Sequence, residues 1–185
     1  MIFFGEYKFG ISSKSFYQVN PVQTEKLYGL AVEMAELCKE DIVFDLYCGI
    51  GTIGIFASKF VKKVYGIEIV EDAVRNAREN ARLNEIQNCE FFAGDVEKLL
   101  EKFIQKDKPS VVFVDPPRKG LDDNTIKNLM GVKPKKIVYI SCNPATLVRD
   151  LVKFESSYEI KGITPLDLFP FTEHVECVAV LYLKN

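Results

Sequence analysis

IVFDLYCGIGTIG, residues 42–54, joins a run of β-favouring apolar residues to three glycines. Apart from Asp45 the run is apolar at every position up to the glycines, as expected of a strand covered on both faces of a sheet. Gly49, Gly51 and Gly54 then satisfy G-x-G-x-x-G, in which glycines allow a sharp turn into a helix and a close approach of ligand to backbone. Glu68 closes the next apolar run, KVYGIEI, where a carboxylate can grip a ribose hydroxyl. This pattern suits a dinucleotide as well as a nucleoside-bearing sulfonium, so the glycines alone do not choose between them.

Outward from this stretch the chain alternates. The β-rich runs IVFDLYC, KVYGIEI, CEFFAGD, SVVFVDP and KIVYISC are followed by amphipathic segments at 52–60, 71–84, 96–105, 122–130 and 144–154. Buried strands separated by helices predict an α/β, Rossmann-like fold with a mostly parallel, doubly wound sheet and right-handed crossovers. The alternation ends with two extended runs, YEIKGITPLDLF and HVECVAVLYLK, joined by PFTE. That link is too short for a helical crossover, so the sheet is expected to end in an antiparallel hairpin at its edge. Before the alternation, 21–39 places Val22, Leu27, Leu30, Ala31, Met34, Ala35 and Cys38 at helical spacing behind Pro21, after an extended lead-in. The expected organisation is a lead-in and helix over 1–40 packing on a core at 41–185, one compact unit in all.

With 185 residues and 48% hydrophobic content the chain can bury a substantial core. The amino terminus has no basic run ahead of an apolar stretch, and no segment approaches membrane-spanning length. Five widely spaced cysteines without a C-x-x-C pair argue against a disulfide framework, a structural metal site or an iron–sulfur ligand set, and point to a reducing, cytoplasmic setting. A net charge of −2 and a pI of about 5.6 do not announce a nucleic-acid binder.

Ligands of open α/β sheets sit at the carboxyl ends of the strands. Asp45 inside the first strand, Glu68 at the end of the second and Asp95 at the end of the third form an expected acidic rim. Such a rim suits S-adenosylmethionine, with its ammonium, sulfonium, ribose diol and adenine amine, better than a pyrophosphate. Helix capping is the plainer role for Glu68 and Asp95 taken singly, and loses weight when three carboxylates fall in register.

The neighbouring strand ends carry different chemistry. DPPRKG presents Asp115 and Arg118 from a loop stiffened by two prolines. The next strand ends at Cys142, ahead of Asn143 as a helix cap and Pro144 as a first helical residue. A cysteine beside a helix amino terminus is expected to have a lowered pKa. Glu176 lies near the start of the last strand, close to Cys142 if the hairpin packs against the fifth strand, and His174, the only histidine, ranks behind it as a base.

The stretches SFYQVNPVQTE, DLYCGIGTIG, DPPRKGLD, SCNPATLVRDL and PLDLFPFTEHVECV together resemble the catalytic domain of the RNA uridine-5 methyltransferases. They run in the family's order over nearly the whole chain, and SCNPAT with HVE is far more specific than a glycine loop. The resemblance implies S-adenosylmethionine-dependent methylation of carbon 5 of a uridine in rRNA or tRNA. It also implies a cofactor held by Gln18, Tyr47, Gly49, Thr52, Glu68, Asp95 and Asp115. Cys142 would be the nucleophile, Glu176 the base that removes a proton, and Arg118 a contact to substrate. Carbon 5 of uracil is a weak nucleophile until a thiolate adds at carbon 6, which is why such chemistry needs a cysteine and then a carboxylate. The target uridine would be single-stranded or flipped out. Many members of that family carry an RNA-binding barrel, a central domain or a cluster-binding segment. This sequence begins just before the catalytic region, so it is expected to be a fragment or to draw RNA affinity from elsewhere. Lys14, Arg118, Lys119, Arg149 and Lys153 offer a modest basic rim. Phe171 stands where that family often has a polar residue. A methyltransferase for another acceptor and a noncatalytic RNA-associated module are the rival readings. The first needs no cysteine and usually an aromatic residue where Arg118 stands; the second is opposed by the presence of both Cys142 and Glu176.

Overall fold

The computed structural model describes residues 1–10, 20–172 and 175–184. Two short strands, β1 (Ile2–Phe4) and β2 (Tyr7–Phe9), form a hairpin of their own. They are followed by α1 (Pro21–Ala35), β3 (Ile42–Leu46), α2 (Thr52–Ser58), β4 (Lys63–Glu68), α3 (Glu71–Leu83), β5 (Cys89–Ala93), α4 (Val96–Ile104) and β6 (Val111–Val114). The chain continues through α5 (Asp123–Val132), β7 (Lys136–Ser141), α6 (Pro144–Phe154), β8 (Tyr158–Leu166) and β9 (Glu176–Leu183).

Strands β3 to β9 make one seven-stranded sheet in the order β5-β4-β3-β6-β7-β9-β8. β3 to β7 are parallel, whereas β9 runs antiparallel to both β7 and β8. This is the Rossmann-like, mostly parallel sheet with a terminal antiparallel hairpin that the alternation predicts. The hairpin enters with its second strand inward, so β9 separates β7 from β8. The link between β8 and β9 spans 167–175 and is longer than the four residues PFTE, because both strands stop short of it.

Side-chain alternation along the strands feeds two cores. Phe44, Tyr65, Val112 and Tyr139 face Leu100 and Phe103 of α4, Leu129 of α5 and Leu151 and Phe154 of α6. Val43, Val64, Phe113 and Val138 face Leu27 and Ala31 of α1 and Ile53 and Ala57 of α2. A third cluster joins Phe4 and Phe9 of the first hairpin to Ile50, Ile55, Val74, Ala77 and Phe91.

Helix limits follow local chemistry. Asn20 caps α1, its side chain accepting from the Gln23 N–H at 3.2 Å, with Pro21 in the first turn. The helix closes at Glu36 in a left-handed conformation, φ 45°, and Cys38 lies exposed beyond it rather than on its apolar face. The sheet reverses its winding between β3 and β6, and the carboxyl ends of these two strands open the crevice where such folds bind ligands.

Candidate active site

The glycine loop connects β3 to α2 across that crevice. Gly51, at φ +83°, is the cap of α2, and a Cβ there would fall 2.8 Å from the Phe91 ring, so only glycine fits. Gly49, at φ +53°, faces open space where its Cβ would be, which leaves its backbone approachable. The Gly49 N–H donates to Glu68 Oε2 at 3.1 Å, while Glu68 Oε1 accepts from the Val70 N–H at 2.9 Å. Glu68 is thus pinned across the loop from both oxygens. Tyr47, also left-handed at φ 63°, directs its phenol to the start of α5, where it meets Thr125 near Asp122 and Asp95. Burial pushes that phenol up to about 12. Thr52 is buried in the first turn of α2, and Asp95 is exposed, capping α4 through the Lys98 N–H at 3.3 Å. Gln18 lies outside the described residues, as do His174 and Lys14.

Asp45 departs from the acidic rim expected of it. It is completely buried beneath the loop, with Oδ2 accepting from the Gly54 N–H at 2.9 Å and Oδ1 without a hydrogen-bond partner. Burial, aided by the charge of Glu68, raises its pKa to about 7, only partly offset by the Gly54 hydrogen bond. Glu68 and Asp95 are the members of the trio that reach the surface.

On the other side of the crevice, Asp115 follows β6 and its N–H donates to the Leu46 carbonyl at 3.3 Å. Its carboxyl is held well above the ordinary range by desolvation, then by the charges of Glu176, Asp45 and Glu68. The β7–β9 register ends on Ser141 opposite Cys177, which makes Cys142 and Glu176 the next opposed residues along the two chains. Glu176 is buried and its pKa is raised by that burial, against the opposing charge of Arg118. The four groups at this mouth, Asp115, Arg118, Cys142 and Glu176, therefore act on one another electrostatically.

The lowered thiol pKa expected of Cys142 is corrected here. Cys142 does precede the cap of α6, where the Asn143 side chain accepts from the Ala145 N–H at 3.1 Å. Its pKa is nonetheless raised, by burial first and then by Glu176 and Asp115, with Arg118 opposing. Two nearby carboxylates and lost hydration outweigh one helix terminus.

The loop after β6 is bolted to α6. Asn143 Nδ2 and Thr146 Oγ1 donate to the Arg118 carbonyl at 3.3 and 3.2 Å. The wholly buried Asp150 accepts from the Leu121 N–H at 2.8 Å and the Tyr139 hydroxyl at 2.7 Å on Oδ2. Its Oδ1 accepts from Arg149, whose Nη2 also donates to the Lys119 carbonyl at 2.8 Å. Arg149 is thus a strut of the loop, and Lys153 pairs with Asp123, so two members of the expected basic rim serve other groups. Asp150 had a legible signal: it occupies a position of the apolar stripe Leu147, Leu151 and Phe154, where a charge must find partners. Phe171 is fully exposed at φ 71° in a turn closed by Thr172 onto the Phe169 carbonyl.

Sheet order, glycine loop and strand-end carboxylates define the Rossmann-like fold of S-adenosylmethionine-dependent methyltransferases. A Pyrococcus abyssi protein, Trm5b, shares that fold alone, with a TM-score of 0.74 at 14% identity over 97% of this chain and 53% of its own. Residues 5–184 match the family described as tRNA (Uracil-5-)-methyltransferase, and the chain belongs to that family. It is 51% identical over 183 residues to an uncharacterised RNA methyltransferase of Halalkalibacterium halodurans, covering 98% of this chain and 40% of that relative. The Pyrococcus abyssi tRNA (uracil-54, C5)-methyltransferase, solved in complex with S-adenosyl-L-homocysteine, superposes with a TM-score of 0.81 at 35% identity, over 96% of this chain and 43% of that one. The chain therefore spans about two fifths of the length of the last two proteins.

Proposed function

We propose that this chain is the catalytic part of an RNA uridine-5 methyltransferase that works through a cysteine–uracil adduct. The observation that carries the reading is the approach of Cys142, one residue past the end of β7, to Glu176 at the start of the antiparallel β9, beside Asp115 and Arg118. Residues 41–185 would form the methyltransferase unit and 1–40 its lead-in, in a cytoplasmic setting.

The residues around the glycine loop fit S-adenosylmethionine. Gly49 offers open backbone, Glu68 is fixed with its carboxylate at the end of β4, and Asp115 is a carboxyl whose ionisation a cationic neighbour would favour. Gly49, Tyr47, Thr52, Glu68, Asp95 and Asp115, with Gln18, are proposed to hold it. When bound, the cofactor supplies the methyl group that carbon 5 takes up.

The chain's own part of the reaction centres on Cys142 Sγ, which gives its proton to solvent and, as the thiolate, bonds to carbon 6 of uracil. The carbon 5–carbon 6 electron pair moves toward the carbon 4 oxygen, and Arg118 steadies the resulting enolate. After carbon 5 gains its methyl group, Glu176 takes the proton there. The thiolate then leaves carbon 6 and the double bond is restored. A raised pKa suits Glu176 to this task, because a more basic carboxylate removes a carbon-bound proton more readily.

The test is incubation with S-adenosylmethionine and unmodified tRNA or rRNA transcripts, followed by a denaturing gel and nucleoside mass analysis. Wild type yields 5-methyluridine and Cys142→Ala yields neither product nor adduct. Glu176→Gln leaves protein and methylated RNA joined, because the block falls after methyl transfer. A normal rate of uridine methylation by Cys142→Ala would end the covalent reading, and free turnover by Glu176→Gln would move the base elsewhere.

A further inference from the structure

Asn80 in the last turn of α3 and Asn84, the residue that caps its end, stand one turn apart and hold alternate residues of the amino-terminal hairpin and its exit. Asn84 accepts from the Lys8 N–H at 2.8 Å and donates to the Lys8 carbonyl at 2.7 Å. Asn80 does the same at Gly10, with distances of 2.7 and 3.3 Å. Four residues of helix rise about 6 Å and two of strand about 6.6 Å, so the two amides match the strand's repeat and stand in for a neighbouring strand. Each amide makes one more bond, to a different place: Asn84 Nδ2 donates to the Asn80 carbonyl at 2.8 Å, within the helix end, whereas Asn80 Nδ2 donates to the Ile50 carbonyl at 3.1 Å, inside the glycine loop. Asn80 is buried, and the Ile50 side chain packs in the same apolar cluster as Phe4, Phe9 and Ala77. One side chain thus ties together the loop at the mouth of the crevice and the backbone that leads into the stretch carrying Gln18. Its two N–H groups serve two different carbonyls, which neither a carboxylate nor an aliphatic residue can do.

We propose that Asn80 is a positioning residue that couples the docking of the amino-terminal hairpin to the shape of the glycine loop, so that the hairpin governs how tightly the loop holds its ligand. Asn84 anchors the same hairpin and bonds the Asn80 carbonyl but does not touch the loop, and is the internal control. The ligand half of the proposal rests on the S-adenosylmethionine reading; the coupling half does not.

Hydrogen exchange on the full chain tests the coupling without any ligand. Amides 49–51 are expected to exchange roughly tenfold faster in Asn80→Ala and Asn80→Asp, the loss of about one net hydrogen bond, and to stay unchanged in Asn84→Ala. Amides of the hairpin should quicken in all three variants. Calorimetry with S-adenosyl-L-homocysteine should show affinity about 5- to 20-fold weaker in the Asn80 variants and within about twofold of wild type in Asn84→Ala. Equal loosening of the loop by Asn84→Ala and Asn80→Ala, or by neither, overturns the proposal. If Asn80→Ala fails to fold, Asn80→Asp, which keeps the acceptor for Gly10, carries the comparison. Exchange as expected with no binding by wild type would sustain the coupling and overturn the cofactor reading instead.

Discussion

Cys142 illustrates how a residue's neighbours can reverse what its position in sequence suggests. The order strand, cysteine, cap, proline is legible, and so is the helix terminus, but the opposing carboxylates come from β9 and from the loop after β6, far away along the chain. Since the thiol pKa lies above its ordinary value, the thiolate fraction rises with pH through and beyond neutrality. Alkylation of Cys142 by iodoacetamide should therefore quicken about tenfold per pH unit from pH 7 to 9 without levelling off. Glu176 raises that pKa and Arg118 lowers it, so the two substitutions should act in opposite directions. At pH 8, Glu176→Gln is expected to speed alkylation several-fold and Arg118→Met to slow it. Peptide mass spectrometry, with the exposed Cys38 as reference, measures both. Shifts of the same sign would show that burial, rather than this charge pair, controls the thiol.

Among the elements, α6 acts as the clamp that gives the loop after β6 its shape. Prolines alone stiffen Asp115-Pro116-Pro117-Arg118, but its position comes from Asp150, which reaches Leu121 in the loop and Tyr139 on β7 at once. Gly120 sits against this clamp at φ +76°, and a Cβ there would lie 2.5 Å from Asp150 Oδ2. Asp150→Ala strands two buried donors, the Leu121 N–H and the Tyr139 hydroxyl, and is expected to cost about 3–5 kcal/mol of stability in chemical denaturation. Asp150→Asn, which keeps the shape and an acceptor, should cost markedly less. If the two substitutions were equally mild, the clamp would be ornamental to the fold. The alternating strands and helices were readable because strands covered on both faces are apolar throughout and glycine or a capping residue marks the turns, as at Gly51, Asp122 and Asn143. The first hairpin was not, because three-residue strands carry too little periodicity. Its stability comes from Phe4 and Phe9 packing on distant residues and from the amides of α3. The early end of α1 depends on a left-handed Glu36, for which no glycine gave warning.

At the scale of the whole molecule, the sheet gathers Asp45, Glu68, Asp115 and Glu176 at one edge, and that arrangement links stability to pH. The sequence places each carboxylate in or beside a strand, yet which of them is sealed from water depends on the strand order and on how the glycine loop folds over β3. Asp45 is the clearest case, with a pKa near 7 in the fold against 3.8 when exposed. A carboxyl with a raised folded pKa favours the native state in its protonated form. Its contribution is complete below about pH 4, is lost as pH rises through about 7, and then stays constant. Asp115 and Glu176 are shifted in the same direction. The carboxylates with lowered values, such as Asp122 and Asp123, lose their contribution only as pH falls below the ordinary carboxylate range, outside this window. Between pH 5 and 8 the chain is therefore expected to become less stable, Asp45 alone contributing about 2–3 kcal/mol to the decline. Asp45→Asn keeps the acceptor for Gly54 and can no longer ionise. It should melt close to wild type near pH 4, somewhat above it at pH 5 and several degrees higher at pH 8, with a flatter profile between. Thermal denaturation of both proteins at four pH values decides the matter. A wild-type midpoint that rises from pH 5 to 8, or an Asp45→Asn profile as steep as that of wild type, would mean that Asp45 is ionised in the fold at neutral pH and that its unpaired oxygen is satisfied in some other way.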